Sequence, residues 1–325
     1  MIRKAVIPVA GLGTRLLPLT KALPKEMLPI LDKPVLQHTI EELVNSGIDD
    51  VTIVTSTRKT LVQQHFAPDE DLDFRLRADG KTAAADALQE VTSMARITYL
   101  FQDGPYGNGT PVLNAARVVG NEPFMVLWPD DVFTSEVPRA QQLLNAYERT
   151  RAPVLSLMPM DPAESYRYGV PIVREELGGG LIRIDGLVEK PKPEDAPSAY
   201  AAIGGYVVTP GIVAELERMT QRHREHPDGE IALSGAIHEH ARNNPVFGQV
   251  VDGTWWDTGN ALGYLRAQFA AALEHPEYGP ELRRMALEHG GHGEAGEPRG
   301  RGGRQGRTGR AAPGGAAGGA PGAGE

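Results

Sequence analysis

The chain reads as an α/β protein built on a doubly wound, mostly parallel sheet flanked by helices, followed by a mixed second half. Two observations predict this. Short apolar runs alternate with helical patterns through the first half, and the first run feeds a long glycine- and lysine-bearing segment of the kind found at the carboxyl ends of open sheets. Lys4–Val9, Val51–Thr55, Ile97–Phe101 and Phe124–Trp128 are the strand-like runs. Val35–Asn45, closed by Ser46-Gly47, Arg58–Phe66 and Pro111–Val119 are the helices between them. In the second half Val154–Met158, Gly180–Val188 and Tyr200–Val208 read as strands. Gly211–Met219, Ile231–Arg242 and Leu262–Leu273 read as helices. No internal repeat is visible, and a single catalytic domain is expected over residues 1–289.

Composition narrows the classes. The chain has 325 residues, 41% of them hydrophobic, and no cysteine, which excludes a disulfide framework, a thiol nucleophile and a zinc-thiolate centre. The first residues lack the apolar core of a signal peptide and no stretch reaches membrane-spanning length, so a soluble cytoplasmic protein is expected, with no membrane partner. Net charge is −9; residues 290–325 carry five arginines against three glutamates, leaving −11 on the body. An acidic body argues against nucleic acid as a partner. The Gly/Arg/Ala/Pro-rich tail at 290–325 has few large apolar residues to offset its ordering entropy and is expected to be disordered.

The segment GLGTRLLPLTKALPKEMLPILDKP, residues 11–34, is the most specific feature. Gly11 and Gly13 permit a sharp turn and close approach of a ligand to main chain. Arg15, Lys21, Lys25 and Lys33 are opposed only by Glu26 and Asp32, and Pro18, Pro24 and Pro29 prevent a long helix. A stiff cationic loop after a strand suits a polyanion such as a nucleoside triphosphate. It is not a dinucleotide fingerprint, because Leu16 stands where the third glycine belongs, and no GxxxxGK[ST] occurs.

Four further constellations follow. Gln102, at a strand end, offers an amide donor and acceptor to a base edge; Gly107 and Gly109 would let a flat ring lie on the backbone, with Thr110 as N-cap and Pro111 as first helical residue. A plain strand–turn–helix reads equally well there. Asp130 and Asp131 follow a buried strand, where adjacent carboxylates commonly hold Mg²⁺ beside phosphate oxygens, or form an acidic turn. Asp257 is a second metal candidate or an N-cap. Glu189-Lys190 is a sugar-hydroxyl and phosphate pair, or a surface ion pair, with glycines at 169, 204 and 205 nearby in strand-end patterns. The nine histidines show no metal spacing.

Together these residues resemble the bacterial UTP–glucose-1-phosphate uridylyltransferases (UDP-glucose pyrophosphorylases) of the sugar nucleotidyltransferase family. The motifs are the opening AGLGTRLLPLTKALPKEMLPILDKP, Gln102 with its glycine turn, Pro129-Asp130, YGV at 168–170, VEKP at 188–191, GEIALSGAI at 229–237 and DTGNALGY at 257–264. The resemblance implies a Rossmann-like nucleotidyltransferase fold and transfer from UTP to glucose-1-phosphate. It implies Arg15 and Lys25 as catalytic cations, and Ala10, Gly11, Gly13, Gln102 and Gly107 around the nucleotide. It also implies Gly169, Glu189, Lys190 and Gly204 around the sugar phosphate, Asp130 and Asp257 as Mg²⁺ ligands, and a homodimer or homotetramer. Departures fall elsewhere: Asn108, Thr110 and Pro111 replace the family's Leu, His and Ala. Ala199 and Gly205 replace the Asn and Arg around its AIVGRY; Pro171 replaces a small or branched residue. Ala232 and Gly235 replace a Gln and an Asp of its GEIQLTDAI. Two other readings remain open: a uridylyl- or thymidylyltransferase for a different hexose-1-phosphate, and a catalytically silent nucleotide-sugar-binding protein.

Overall fold

The computed structural model describes residues 2–227 and 229–290. In chain order the elements are β1 (Lys4–Pro8), β2 (Pro29–Ile30), β3 (Lys33–Pro34), α1 (Val35–Asn45), β4 (Asp50–Thr55), α2 (Thr60–Phe66), α3 (Glu70–Ala78), α4 (Thr82–Ser93) and β5 (Arg96–Phe101). They continue with α5 (Gly109–Val119), β6 (Phe124–Leu127), β7 (Asp131–Thr134), α6 (Arg139–Thr150), β8 (Val154–Pro159), β9 (Gly169–Glu176) and β10 (Leu181–Glu189). Last come β11 (Tyr200–Val208), α7 (Pro210–Glu225), α8 (Leu233–Ala241), β12 (Val246–Val250), β13 (Thr254–Asp257), α9 (Ala261–Glu274) and α10 (Gly279–Gly290). The chain divides between His275 and Pro276 into two units; the described part of the second, residues 276–290, is a turn followed by α10. From residue 291 onward the expected disordered tail lies outside the described residues.

Nine strands form one sheet in the order β5-β4-β1-β6-β11-β8-β12-β10-β9. The half built from β5, β4, β1 and β6 is wholly parallel, as expected. Among the described residues, β8 with β12 is the one parallel pair beyond β6, so the second half of the sheet is mixed, as expected. Side chains alternate across a strand, and the core divides accordingly. Ala5 and Ile7 of β1 with Met125 and Leu127 of β6 pack under Leu36, Ile40 and Leu43 of α1 and Leu143 of α6. Val6, Phe124 and Val126 face the opposite layer, with Val112 and Val119 of α5, Ile212 and Leu216 of α7, and Ile237 of α8. That is the doubly wound arrangement.

Local signals explain the segment after β1. Pro18, Pro24 and Pro29 confine it to single 3₁₀ turns at Thr14–Leu16, Leu19–Lys21 and Lys25–Met27. Gly13 sits at φ 67°, and the Thr20 hydroxyl donates to its carbonyl at 2.7 Å, tying the loop back on itself. The helix after β5 starts two residues earlier than Pro111 suggests. Asn108 takes the N-cap position, and the Thr110 hydroxyl donates to Pro105 O at 2.6 Å instead of capping.

Candidate active site

Because β5, β4, β1 and β6 are parallel, Ala10 and Gly11 after β1, Gln102 after β5 and Asp130 after β6 all emerge at one edge of the sheet. Beside that edge lies a pocket lined by Arg15, Asp130, Asp131, Arg167, Gly169, Glu189, Lys190, Gly204 and Asp257, among others. The convergence of the charged groups is sharpest around Gly259. A methyl group there would stand 2.8 Å from Asp130 Oδ2, 3.0 Å from Arg15 Nη2 and 3.1 Å from Asp257 Oδ1. Three side chains separated by more than a hundred residues of sequence thus crowd one point, which only glycine leaves open.

Lys25 joins this group through Asp130. Its Nζ donates to Asp130 Oδ2 at 2.5 Å. Burial works to lower the Lys25 ammonium, but the charges of Asp130 and Glu26 and the hydrogen bond to Asp130 outweigh it and hold it above its ordinary value. Burial works to raise Asp130, yet Lys25 and Arg15 hold it below the ordinary carboxylate range. Both groups stay charged at neutral pH. Glu26 in turn receives Lys59 Nζ at 2.8 and 3.0 Å on its two oxygens, anchoring the loop to the segment before α2.

Asp257, expected either as a ligand or as an N-cap, is not the cap: Asn260 caps α9 through Gly263 N. The Asp257 carboxylate accepts from Gly259 N at 3.1 Å, Asn260 Nδ2 at 2.9 Å and Arg167 Nη2 at 3.1 Å. Lys190 and Glu189 form the expected ion pair at 3.2 Å on the pocket wall. Lys190 has φ 47°, a left-handed backbone that a lysine adopts at a cost, held by its N–H on Tyr168 O at 3.0 Å. Gly169 pairs with Glu189 and with Ala202, so β9 brings this glycine against both β10 and β11.

Two expectations are refined. Gly107 and Gly109, read as a floor for a flat ring, also make room for another part of the chain. A Cβ at Gly107 would stand 2.2 Å from Ile231 O, and Gly109 N donates to that carbonyl at 2.8 Å. Asp131 is not a second free acid beside Asp130. Trp255 Nε1 donates to its Oδ1 at 2.6 Å and Gly204 N to its Oδ2 at 3.0 Å, and burial followed by the Asp130 charge pushes it up to about 7.

Several residues at or behind this pocket went unread in the sequence. Arg167 balances Asp257 and lies over the Tyr168 ring at 5.0 Å. Trp255, Glu42 and Arg139 brace the wall from β13, α1 and α6. One signal was available for Arg139: it is a cation in the first turn of a helix, the end where the macrodipole disfavours positive charge. Among the described residues no three His, Cys, Asp or Glu side chains gather as a metal-binding set, so any ion here would rest on the Asp130–Asp257 pair.

Comparison with known proteins places the chain in a family. The chain is 41% identical over 293 residues to a UTP–glucose-1-phosphate uridylyltransferase of Streptococcus pneumoniae, covering 89% of this chain and 96% of that relative. A UTP-bound enzyme from Acinetobacter baumannii superposes with a TM-score of 0.79 at 32% identity, over 89% of this chain and 99% of its own. A UDP-glucose pyrophosphorylase in complex with UDP-glucose superposes at 0.73, also at 32% identity, over 83% of this chain and 98% of its own. A family model described as nucleotidyl transferase matches residues 4–273, the stretch that holds every side chain of the pocket, and the chain belongs to that family.

Proposed function

We propose that this chain transfers the uridylyl group of UTP to glucose-1-phosphate, giving UDP-glucose and pyrophosphate. The observation that carries the reading is the meeting of Arg15, Asp130 and Asp257 at one point, with Lys25 on Asp130 and Lys190 on the same pocket wall. Such a set can hold two anionic reactants side by side. A phosphate oxygen of the hexose-1-phosphate bonds to the α-phosphorus of UTP. The bond from that phosphorus to the bridging oxygen of the β-phosphate breaks, and pyrophosphate leaves with the electron pair.

The residues divide the work. Arg15 and Lys25 face the triphosphate and take up the charge that grows on departing pyrophosphate. Lys190 holds the sugar phosphate and Glu189 accepts from sugar hydroxyls, so that positioning replaces a bimolecular encounter. Ala10, Gly11, Gly13, Gln102 and Gly107 receive the nucleotide along the strand ends. No base is required, since a sugar phosphate is ionised at neutral pH. The donor set of Asp130 and Asp257 fits Mg²⁺, an ion that takes one or two carboxylates and completes its shell with water and substrate phosphates. When bound it supplies Lewis-acid neutralisation of phosphate oxygens. We further propose a cytoplasmic homodimer or homotetramer; among the described residues no helix is long and apolar enough to cross a membrane.

A second reading, a different hexose-1-phosphate or thymidylyl donor, draws on Asn108, which lines the pocket where the family carries leucine. Pyrophosphate release measured with UTP and dTTP, each against a panel of hexose-1-phosphates, separates the two. Highest turnover is expected for UTP with glucose-1-phosphate. Release with none of the pairs overturns both readings and leaves a silent binder.

A further inference from the structure

The sugar-side wall contains a fully buried arginine that the reaction scheme does not use. Arg139 opens α6 with no exposed surface. Its Nε and Nη2 donate to the two oxygens of Glu42 on α1, at 3.2 and 2.9 Å, and its Nη1 donates to Gly204 O at 3.2 Å. Glu42 Oε1 also accepts from Ala140 N at 2.9 Å, and the guanidinium lies 4.8 Å from the centre of the Phe133 ring. A buried ion pair seldom improves stability over an apolar pair of similar size. Its retention calls for another purpose.

Gly204 and Gly205 supply that purpose. The ladder between β11 and β8 is broken between Ile203 and Tyr206, so two consecutive glycines cross the pocket wall without partners on that side. Such a stretch has the greatest backbone freedom of any in a strand. The Gly204 N–H is fixed on Asp131, and its carbonyl is fixed by Trp128 N at 3.0 Å and by Arg139. Asp131 and Gly204 both line the pocket. At Gly205, a Cβ would stand 3.2 Å from Arg139 Cδ, 2.9 Å from Ser156 Oγ and 3.1 Å from Leu143 Cδ1. The position is bare of a side chain, and an arginine from another element packs into the space beside it.

We infer that Arg139 is a positioning residue, and that its guanidinium, fixed on Glu42, holds the Gly204 peptide and through it the Asp131 carboxylate in the geometry that receives the sugar phosphate. The sugar-side part of this inference rests on the proposed function; the packing of Arg139 against position 205 does not. Glycine at 205 leaves room for Ser156, Leu143 and Arg139 together.

The test uses the full chain and three variants: Arg139→Lys, Gly205→Arg, and the swap Arg139→Ala with Gly205→Arg. A lysine keeps a charge opposite Glu42 but cannot form the fork to Glu42 and still reach Gly204 O. The expected result for Arg139→Lys is a roughly tenfold rise in KM for glucose-1-phosphate with KM for UTP changed by less than about twofold, a split that mere loss of folded protein does not produce. Gly205→Arg alone is expected to lower Tm, and the swap to recover both Tm and KM towards the parent values. An Arg139→Lys enzyme with both KM values unchanged, or raised together, overturns the positioning role. A swap no more stable than Gly205→Arg alone overturns the packing of the two positions against each other, and that arm reads out even if the parent chain releases no pyrophosphate.

Discussion

The loop at residues 10–33 and the wall formed by β9, β10 and β11 both bring charged groups to the candidate site, and they are built in opposite ways. The loop draws its cations from one contiguous segment, stiffened by three prolines and anchored by single long contacts, Lys25 to Asp130 and Glu26 to Lys59. The wall draws one or two residues from each of many elements: Gly204 from β11, Asp131 from β7, Trp255 from β13, Arg139 from α6 and Glu42 from α1. Contiguity makes the loop recognisable and hard to vary. Dispersal lets the wall be rebuilt by paired changes, and several departures from the family pattern, Gly205 and Pro171 among them, fall on its strands.

The sharpest way to break this contrast is at the loop. Lys25→Ala is expected to cut kcat by roughly a hundredfold or more, the effect of removing one preorganised charge worth about 3–4 kcal/mol, with an unchanged circular dichroism spectrum. Near-parental turnover would remove the loop from the chemistry. Glycines sharpen the contrast next. Gly204→Ala would place a methyl 2.1 Å from Asp131 Oδ2, whereas Gly11→Ala meets nothing within 4 Å. The first is expected to cost at least about 2 kcal/mol of stability by denaturant titration and the second almost none. Equal losses would mean that the wall is no more tightly packed than the loop.

Lys190→Ala is expected to raise KM for glucose-1-phosphate about tenfold, in line with loss of one charged hydrogen bond, and to leave KM for UTP nearly unchanged. A matching rise for UTP would erase the division between the two sides. The smallest effect concerns pH at the loop's foundation. Burial lowers His65, whose Nε2 lies 2.9 Å from Gln37 Oε1, below its ordinary value of 6.5. The unfolded chain therefore takes up this proton first as pH falls. The stability contributed here is complete above about 6.5 and declines below it, and His65→Gln should flatten that part of a Tm-against-pH curve.

How far the molecule could be read from its sequence follows the same division. Runs such as Lys4–Pro8 and Phe124–Leu127 are legible because buried parallel strands are continuously apolar. The helix Val35–Asn45 is legible because its apolar face repeats and Ser46-Gly47 closes it. The helix Glu70–Ala78 was missed because it buries none of its residues and leaves Leu72 and Phe74 exposed among charges, supported by pairs such as Asp73 with Arg77. The strand Val246–Val250 was missed because Gly248 interrupts it; that glycine admits Leu157, whose Cδ1 would lie 2.2 Å from a Cβ. At the site, Arg15, Asp130, Glu189, Lys190 and Asp257 were legible from local motifs and do share a pocket. Arg139, Glu42 and Trp255 were not, because each matters only through a partner about a hundred residues away.

The most direct measurement follows one phosphorus atom. The purified chain is incubated with UTP labelled at the α-phosphate, unlabelled glucose-1-phosphate and Mg²⁺, and the products are separated. The expected result is label wholly in UDP-glucose, with equimolar unlabelled pyrophosphate. Label in inorganic phosphate, pyrophosphate or UMP, or UTP recovered intact, would show that the loop and the wall do not act on one phosphate bond together.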